Sequence, residues 1–280
     1  MDRIGVLGGT GFYTLLDSAD RVEVPTPFGA PPARPAVGRF GGRDVVFIPR
    51  HGARHQHPPH RLPTRATLLA MSRLGVRRVL SLTAVGSLRA ELPPGSMVVP
   101  DQILDRTSGR VTTFADPPGT AGEPVDAAEP WNPPARTVDH VAFADPFCPA
   151  LRAIAATRDG IAAPAATLAV INGPRFSTRA ESRELRSAGA DLVNMTAMPE
   201  AVLARELGLC YCALALVTDL DADADEGRGV TEAQVLAAFA ESTPRLVDLL
   251  RSVIERLPEE RAGCGCGEAA TRTGRALSGG

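Results

Sequence analysis

The chain has 280 residues, of which 44% are hydrophobic and 22% charged, with a formal net charge of −2. That balance suits one large or two small globular domains, and no basic block marks a nucleic-acid footprint. Every basic side chain is arginine, which excludes a Walker phosphate loop, a Schiff-base lysine and a lysine general base.

The N-terminal stretch "MDRIGVLGG" is broken by glycine too early for a secretory signal, and no apolar run reaches the length of a membrane span, so a cytoplasmic protein without a membrane partner is expected. "RIGVLGG" reads as a strand ending in a glycine turn and "DVVFIP" as another. "TRATLLAMSRLG" has helical periodicity and leads into the buried strand "VRRVLSLTA". "SMVVP", "ATLAVI" and "LCYCALALV" continue the strands. "AESRELRSAG", "MPEAVLARELG" and "TEAQVLAAFAESTPRLVDLLRSVIERL" read as helices, the first two closed by glycine. This alternation predicts an α/β fold with a largely parallel central sheet and helices on both faces. Residues 115–139, rich in Pro, Gly and Ala, are expected to form a long surface loop, either mobile or part of a lid. From about Glu259 the chain is small and polar, which predicts a disordered tail.

The five cysteines, Cys148, Cys210, Cys212, Cys264 and Cys266, argue against a disulfide framework because their number is odd and no signal peptide precedes them. Cys210 and Cys212 read as core. Cys264 and Cys266 have no second cysteine pair or histidine nearby in sequence, so no zinc site is expected there.

Four of the five histidines (His51, His55, His57 and His60) fall within "PRHGARHQHPPH". A metal nest would require further ligands, and only His140 remains elsewhere; the flanking prolines also prevent a helix that would align the imidazoles. "RHGAR" resembles the motif of phosphohistidine enzymes, but it does not follow the first strand. A third reading is an anion clamp. Arg50 and His51 directly follow a strand, at the sheet edge where α/β folds bind ligands, and a guanidinium can grip two phosphate oxygens at once. Further donors are available in "GGTGF" (Thr10), "LTAVGSL" (Thr83 and the Ala84 amide) and "VNMTAMPEAVLA" (Thr196).

Taken together, "GGTGF", "TPFG", "RHGARH", "TAVGSL", "PDQILDRTSGR", "GPRFSTRAES", "NMTAMPE" and "ALVTDLD" resemble, in order and spacing, the methylthioadenosine phosphorylases of the trimeric purine nucleoside phosphorylase group. The resemblance spans roughly residues 3–257, giving a phosphorylase domain over 1–258 and a tail over 259–280. It implies a single α/β domain with a mixed, barrel-like sheet, a homotrimer or a hexamer of paired trimers, and inorganic phosphate as co-substrate without metal or organic cofactor. It also implies phosphate binding by Thr10, Arg50, His51, Thr83, Ala84 and Thr196, and ribose or base contacts from Phe176, Ser177, Asn194 and Met195.

The same resemblance puts Asp219 where an acid meets purine N7, stabilising the charge that gathers on the leaving base. Asp221 would share its direction if the backbone stays extended. Two carboxylates facing a 6-amino group favour adenine, since a 6-oxo oxygen would oppose acceptor to acceptor. His55, Glu232, Val235 and Leu236, with His140 lent by a neighbouring subunit, would surround the 5′ end of the nucleoside. Glu232 either faces solvent or favours a polar 5′ group. Asp223, Asp225 and Glu226 read as an acidic loop.

Overall fold

The computed structural model describes residues 2–16, 18–126, 128–129, 131, 138–222 and 229–279; Asp223, Asp225, Glu226 and residues 132–137 of the long loop lie outside the described residues. In chain order its elements are β1 (Arg3–Gly8), β2 (Asp20–Arg21), β3 (Ala36–Phe40), β4 (Arg43–Pro49), α1 (Thr64–Arg73), β5 (Val76–Ser87), β6 (Met97–Val98), β7 (Gln102–Asp105), α2 (Pro149–Ala155), β8 (Ile161–Ala163), β9 (Thr167–Val170), α3 (Arg179–Ser187), β10 (Leu192–Asn194), α4 (Ala197–Glu206), β11 (Cys210–Leu220), α5 (Glu232–Arg256) and α6 (Arg272–Ser278). No described helix is long and apolar enough to cross a membrane.

Among the described residues, all strands join one mixed sheet, and six of the ten pairings are parallel, as the alternating pattern predicts. β5 is its hub. One edge is taken in parallel by β11, from Arg78 to Ser87. The other edge is shared, with β1 in parallel on Val76–Ser81 and β10 antiparallel on Gly86–Ser87. Between them, residues 82–85 have no ladder partner on that edge, and the sheet parts at the carboxyl end of β1, where open α/β sheets bind ligands.

The strands are long apolar runs because both faces are covered. Along β11, Tyr211, Ala213, Ala215 and Val217 enter one core, whereas Cys210, Cys212, Leu214 and Leu216 enter the other. This is the two-residue period of a strand serving two layers. α1 and α4 cover the first core, and α2 and α5 the second. α5 starts from a capping box of Thr231 with Gln234 and buries Val235, Phe239, Ser242, Leu246, Leu249, Leu250, Val253 and Ile254, a stripe at helical spacing. The expected glycine stops are in place: Gly189 and Gly208 follow α3 and α4 with φ of +88° and +69°.

Two sequence expectations are corrected. The segment after Glu259 is packed and ends in α6, which lies against α1. Arginines achieve this without apolar periodicity: Arg78 donates to the carbonyls of Pro258 (2.6 Å) and Glu259 (2.8 Å), and Arg43 to that of Leu257 (2.8 Å). Arg272 pairs with Asp139 at 2.7 Å. Gly274 allows α6 to approach the end of α4, because a Cβ there would come within 2.0 Å of the Glu206 carbonyl oxygen. Secondly, Cys264 and Cys266 are not isolated, for the fold brings Cys148 and Cys210 to them. The described part of the 115–139 loop is pinned by buried Arg65, which pairs with Glu123 and bonds the carbonyls of Thr113, Asp116 and Pro117. None of its described residues borders the cavity discussed next.

Candidate active site

A cavity of about 440 Å³ opens where the sheet parts. Its walls include Thr10, Arg50, His51, His55, Thr83, Ala84, Phe176, Ser177, Asn194, Met195, Thr196, Asp219, Asp221, Glu232 and Val235, so the fold gathers these sequence candidates from opposite ends of the chain. His140 and Leu236 are exceptions. Both are exposed and neither lines the cavity of this chain.

At one end, the turn after β4 presents Arg50, which is only 3% exposed. Its Nε and Nη2 donate to the Glu200 carboxylate, Nη2 also to Ser81 Oγ (2.6 Å), and Nη1 to the Leu82 carbonyl (3.1 Å). A guanidinium has five N–H groups, so one on Nη1 remains for a ligand. Glu200, which sequence reasoning missed, is the anchor: it is buried and also accepts from Tyr211 Oη (2.7 Å) and Ser81 Oγ (3.1 Å). Its carboxylate holds the Arg50 pKa above the ordinary value against the opposing effect of burial.

His51 is buried beside Arg50, with Nδ1 2.8 Å from the His57 carbonyl oxygen. That oxygen can only accept, so Nδ1 carries the proton and Nε2 of the neutral ring is an acceptor. Burial lowers the His51 pKa to about 3, with Arg50, His55 and His57 adding to the effect and the carbonyl contact opposing it. A neutral His51 suits the hydroxyl of a hydrogenphosphate ion better than its bare oxygens. His55 stacks on His51 with ring centroids 4.4 Å apart, and Tyr13 Oη lies 3.0 Å from His55 Nδ1, a contact that the sequence did not signal. His60 is exposed, whereas His57 is half-buried and orients His51 through its main chain.

Asn194 borders the cavity, but its amide serves the framework. Nδ2 donates to Thr83 Oγ1 (2.6 Å), while Oδ1 accepts from the amides of Thr196 (2.8 Å) and Ala197 (2.7 Å). It thereby satisfies donors at the start of α4 and fixes the position of Thr83. The Thr196 and Ser177 hydroxyls, both on the cavity wall, are buried with no hydrogen-bond partner among the described residues. Such groups are costly unless a ligand satisfies them.

The other end is acidic. Between Val217 and Asp219 the β11–β5 register shifts, and this bulge re-aims the strand end. Asp219 receives a hydrogen bond from Thr218 Oγ1 (2.8 Å), and Asp221 from Ser182 Oγ (2.6 Å). Both line the cavity, as extended backbone requires of residues two apart. Gly86 makes room for them, since a Cβ there would lie 2.9 Å from Asp219 Oδ1 and 3.6 Å from the Asp221 Cβ. Burial raises the Asp219 pKa to about 6; the Thr218 hydroxyl opposes this and the Asp221 charge adds to it. Val235 is buried on the wall, and Glu232 stands exposed at the rim, on the first turn of α5.

The cavity thus has an end lined by a guanidinium, an imidazole and hydroxyls, an acid end and an apolar side wall. The family profile of the Phosphorylase superfamily matches residues 3–255. The chain is 50% identical to the S-methyl-5′-thioadenosine phosphorylase of Mycobacterium tuberculosis, over 94% of this chain and 92% of that protein. It is 46% identical to a purine nucleoside phosphorylase of Streptomyces coelicolor, over 95% and 93%. Among solved structures, the methylthioadenosine phosphorylase of Schistosoma mansoni in complex with adenine superposes with a TM-score of 0.83, at 33% identity, over 99% of this chain and 98% of that one. Sequence, fold and cavity agree, and the chain belongs to the phosphorylase superfamily.

Proposed function

We propose that the protein cleaves 5′-deoxy-5′-methylthioadenosine with inorganic phosphate, giving adenine and 5-methylthioribose 1-phosphate. The observation that carries this reading is the opposition, within one cavity, of the Arg50–His51–Thr196 end to the Asp219–Asp221 end. Phosphate sits at the first. It takes the spare Nη1 hydrogen of Arg50 and the Thr196 and Thr83 hydroxyls, donates a hydrogen bond from its own O–H to His51 Nε2, and meets the Thr10 hydroxyl and the Ala84 main chain. Its oxygen forms the bond to C1′ as the bond from C1′ to the purine breaks. The electron pair released to the base is stabilised by protonation at N7 from Asp219, whose raised pKa keeps a proton available near neutrality. Asp221 accepts from the 6-amino group, and Phe176 and Met195 pack on the ribose. Phosphate is the co-substrate, and the reaction calls on no metal or organic cofactor.

The test is release of free adenine from methylthioadenosine with and without phosphate, beside adenosine and methylthioinosine. Phosphate-dependent cleavage of methylthioadenosine at a kcat/KM at least about tenfold above the rivals is expected. Turnover without phosphate would refute the anion clamp, and preference for methylthioinosine would refute the 6-amino assignment. A higher kcat/KM for adenosine would mean that Glu232 at the rim selects a polar 5′ group, a reading to which the Streptomyces relative's name lends weight.

We infer also that the enzyme works as a trimer, in the cytoplasm, with His140 of one copy closing the 5′ side of the next. Exposed Val138 and Leu236, at 70% and 38%, supply apolar surface for such contacts. Light scattering is expected to give three times the mass of 29.4 kDa, or six times if trimers pair; a monomer with full activity would exclude the lent histidine.

A further inference from the structure

The strongest feature outside the cavity is a cluster of sulfurs. Cys148 caps the start of α2, Cys210 opens β11, and Cys264 and Cys266 come from the tail. Their Sγ atoms all lie within 4.8 Å of one another, with Cys210 and Cys264 at 3.4 Å. Cys148, Cys210 and Cys266 are buried, and all the cysteines are free thiols.

Four sulfurs around a zinc ion at about 2.3 Å stand about 3.8 Å apart, close to the spread seen here, whereas a disulfide needs about 2.05 Å. Apolar packing alone gives no reason for thiols from three distant parts of the chain to converge on a point. Their surroundings suit a negative cluster: Arg78 and Arg261 line a small cavity, of about 20 Å³, together with Cys148, Cys210 and Cys264. Arg78 Nε is buried without a partner.

We propose that Cys148, Cys210, Cys264 and Cys266 bind a structural zinc ion that fastens the tail to the amino end of the central sheet. Each protonated thiol loses its proton to solvent as its sulfur bonds the metal, and the two excess negative charges of the tetrathiolate face Arg78 and Arg261. All four positions being occupied by protein, the site has no open coordination place and no part in catalysis. One visible link ties the tail to the end of the long loop, the pairing of Arg272 with Asp139, next to His140.

The experiment uses the full chain, free of any histidine tag, purified with a phosphine reductant and without chelator. Elemental analysis is expected to find about one zinc per chain. Cys264→Ser/Cys266→Ser is expected to retain less than about a tenth of it, and Cys212→Ala, outside the cluster, all of it. Cobalt added to metal-free protein is expected to give the sulfur-to-metal charge-transfer bands of a tetrahedral thiolate site, and metal removal to expose the chain after Glu259 to protease. Folded, active protein with no metal and no cobalt spectrum would overturn the proposal. So would a thiol count in denaturant of one per chain, which would mean two disulfides, and one iron per chain would overturn the assignment to zinc.

Discussion

Asp219→Ala is expected to lower kcat/KM for methylthioadenosine by about 10²–10⁴-fold, the range of a lost general acid. Asp219→Asn, which keeps an N–H donor but has no proton to transfer, should fall between that and the parent. The pH profile distinguishes an acid from a mere binding group. The Asp219 carboxyl, raised to about 6, is protonated below that value, so kcat/KM of the parent should fall as pH rises through it. In kcat the limb should move to higher pH, because bound purine excludes water and further disfavours the carboxylate. Both variants should lose the limb. A constant ratio of parent to variant across the pH range would remove Asp219 from proton transfer.

The same shift has a sign for stability. Between the ordinary carboxylate value of 3.8 and about 6, the folded state holds a proton that the unfolded chain has released. The contribution is therefore complete at low pH and lost as pH rises through that window. At neutral pH, Asp219→Asn should make the protein more stable, on the order of 1 kcal/mol, while making it a poorer enzyme.

Glu200→Ala is expected to cost about 3–5 kcal/mol of stability, read by urea denaturation, because it leaves the Arg50 guanidinium buried without its counter-ion. The two side chains are 3% and 2% exposed, so water cannot replace the lost carboxylate. Tyr211 Oη and Ser81 Oγ lose an acceptor in the same step. The phosphate KM should rise tenfold or more, with a smaller change in kcat at saturating phosphate, since Glu200 acts by positioning Arg50. Glu200→Gln retains an acceptor for Tyr211 and Ser81 and should be milder in both measurements. A loss under about 1 kcal/mol for Glu200→Ala would show that Ser81 and Leu82 suffice to hold Arg50.

The long elements were legible because each has enough residues for a period to declare itself. β1, β4, β5, β9 and β11 and helices α1, α3, α4 and α5 were all visible as such. β2, with two residues, and β8 and β10, with three, have no period to read; their partners alone define them. The tail was misread for a related reason. Its order comes from arginine-to-carbonyl bonds and a sulfur cluster between residues more than fifty positions apart, neither of which leaves a local hydrophobic pattern. In the site, Arg50, Thr196 and Asp219 stand at strand ends and helix starts, where sequence pattern is informative. Glu200 does not announce itself, because an acid in the first turn of a helix looks the same whether it faces solvent or a buried guanidinium.

The cavity divides its tasks between rigid and permissive parts of the chain. Arg50 and the acid pair rest on strand ends with committed hydrogen bonds, whereas Glu232 protrudes from the exposed first turn of α5. Surface positions of this kind change stability by only about 0.5 kcal/mol when substituted. On the proposed reading, selectivity for the 5′ group can therefore drift by single steps at residue 232 without unfolded intermediates.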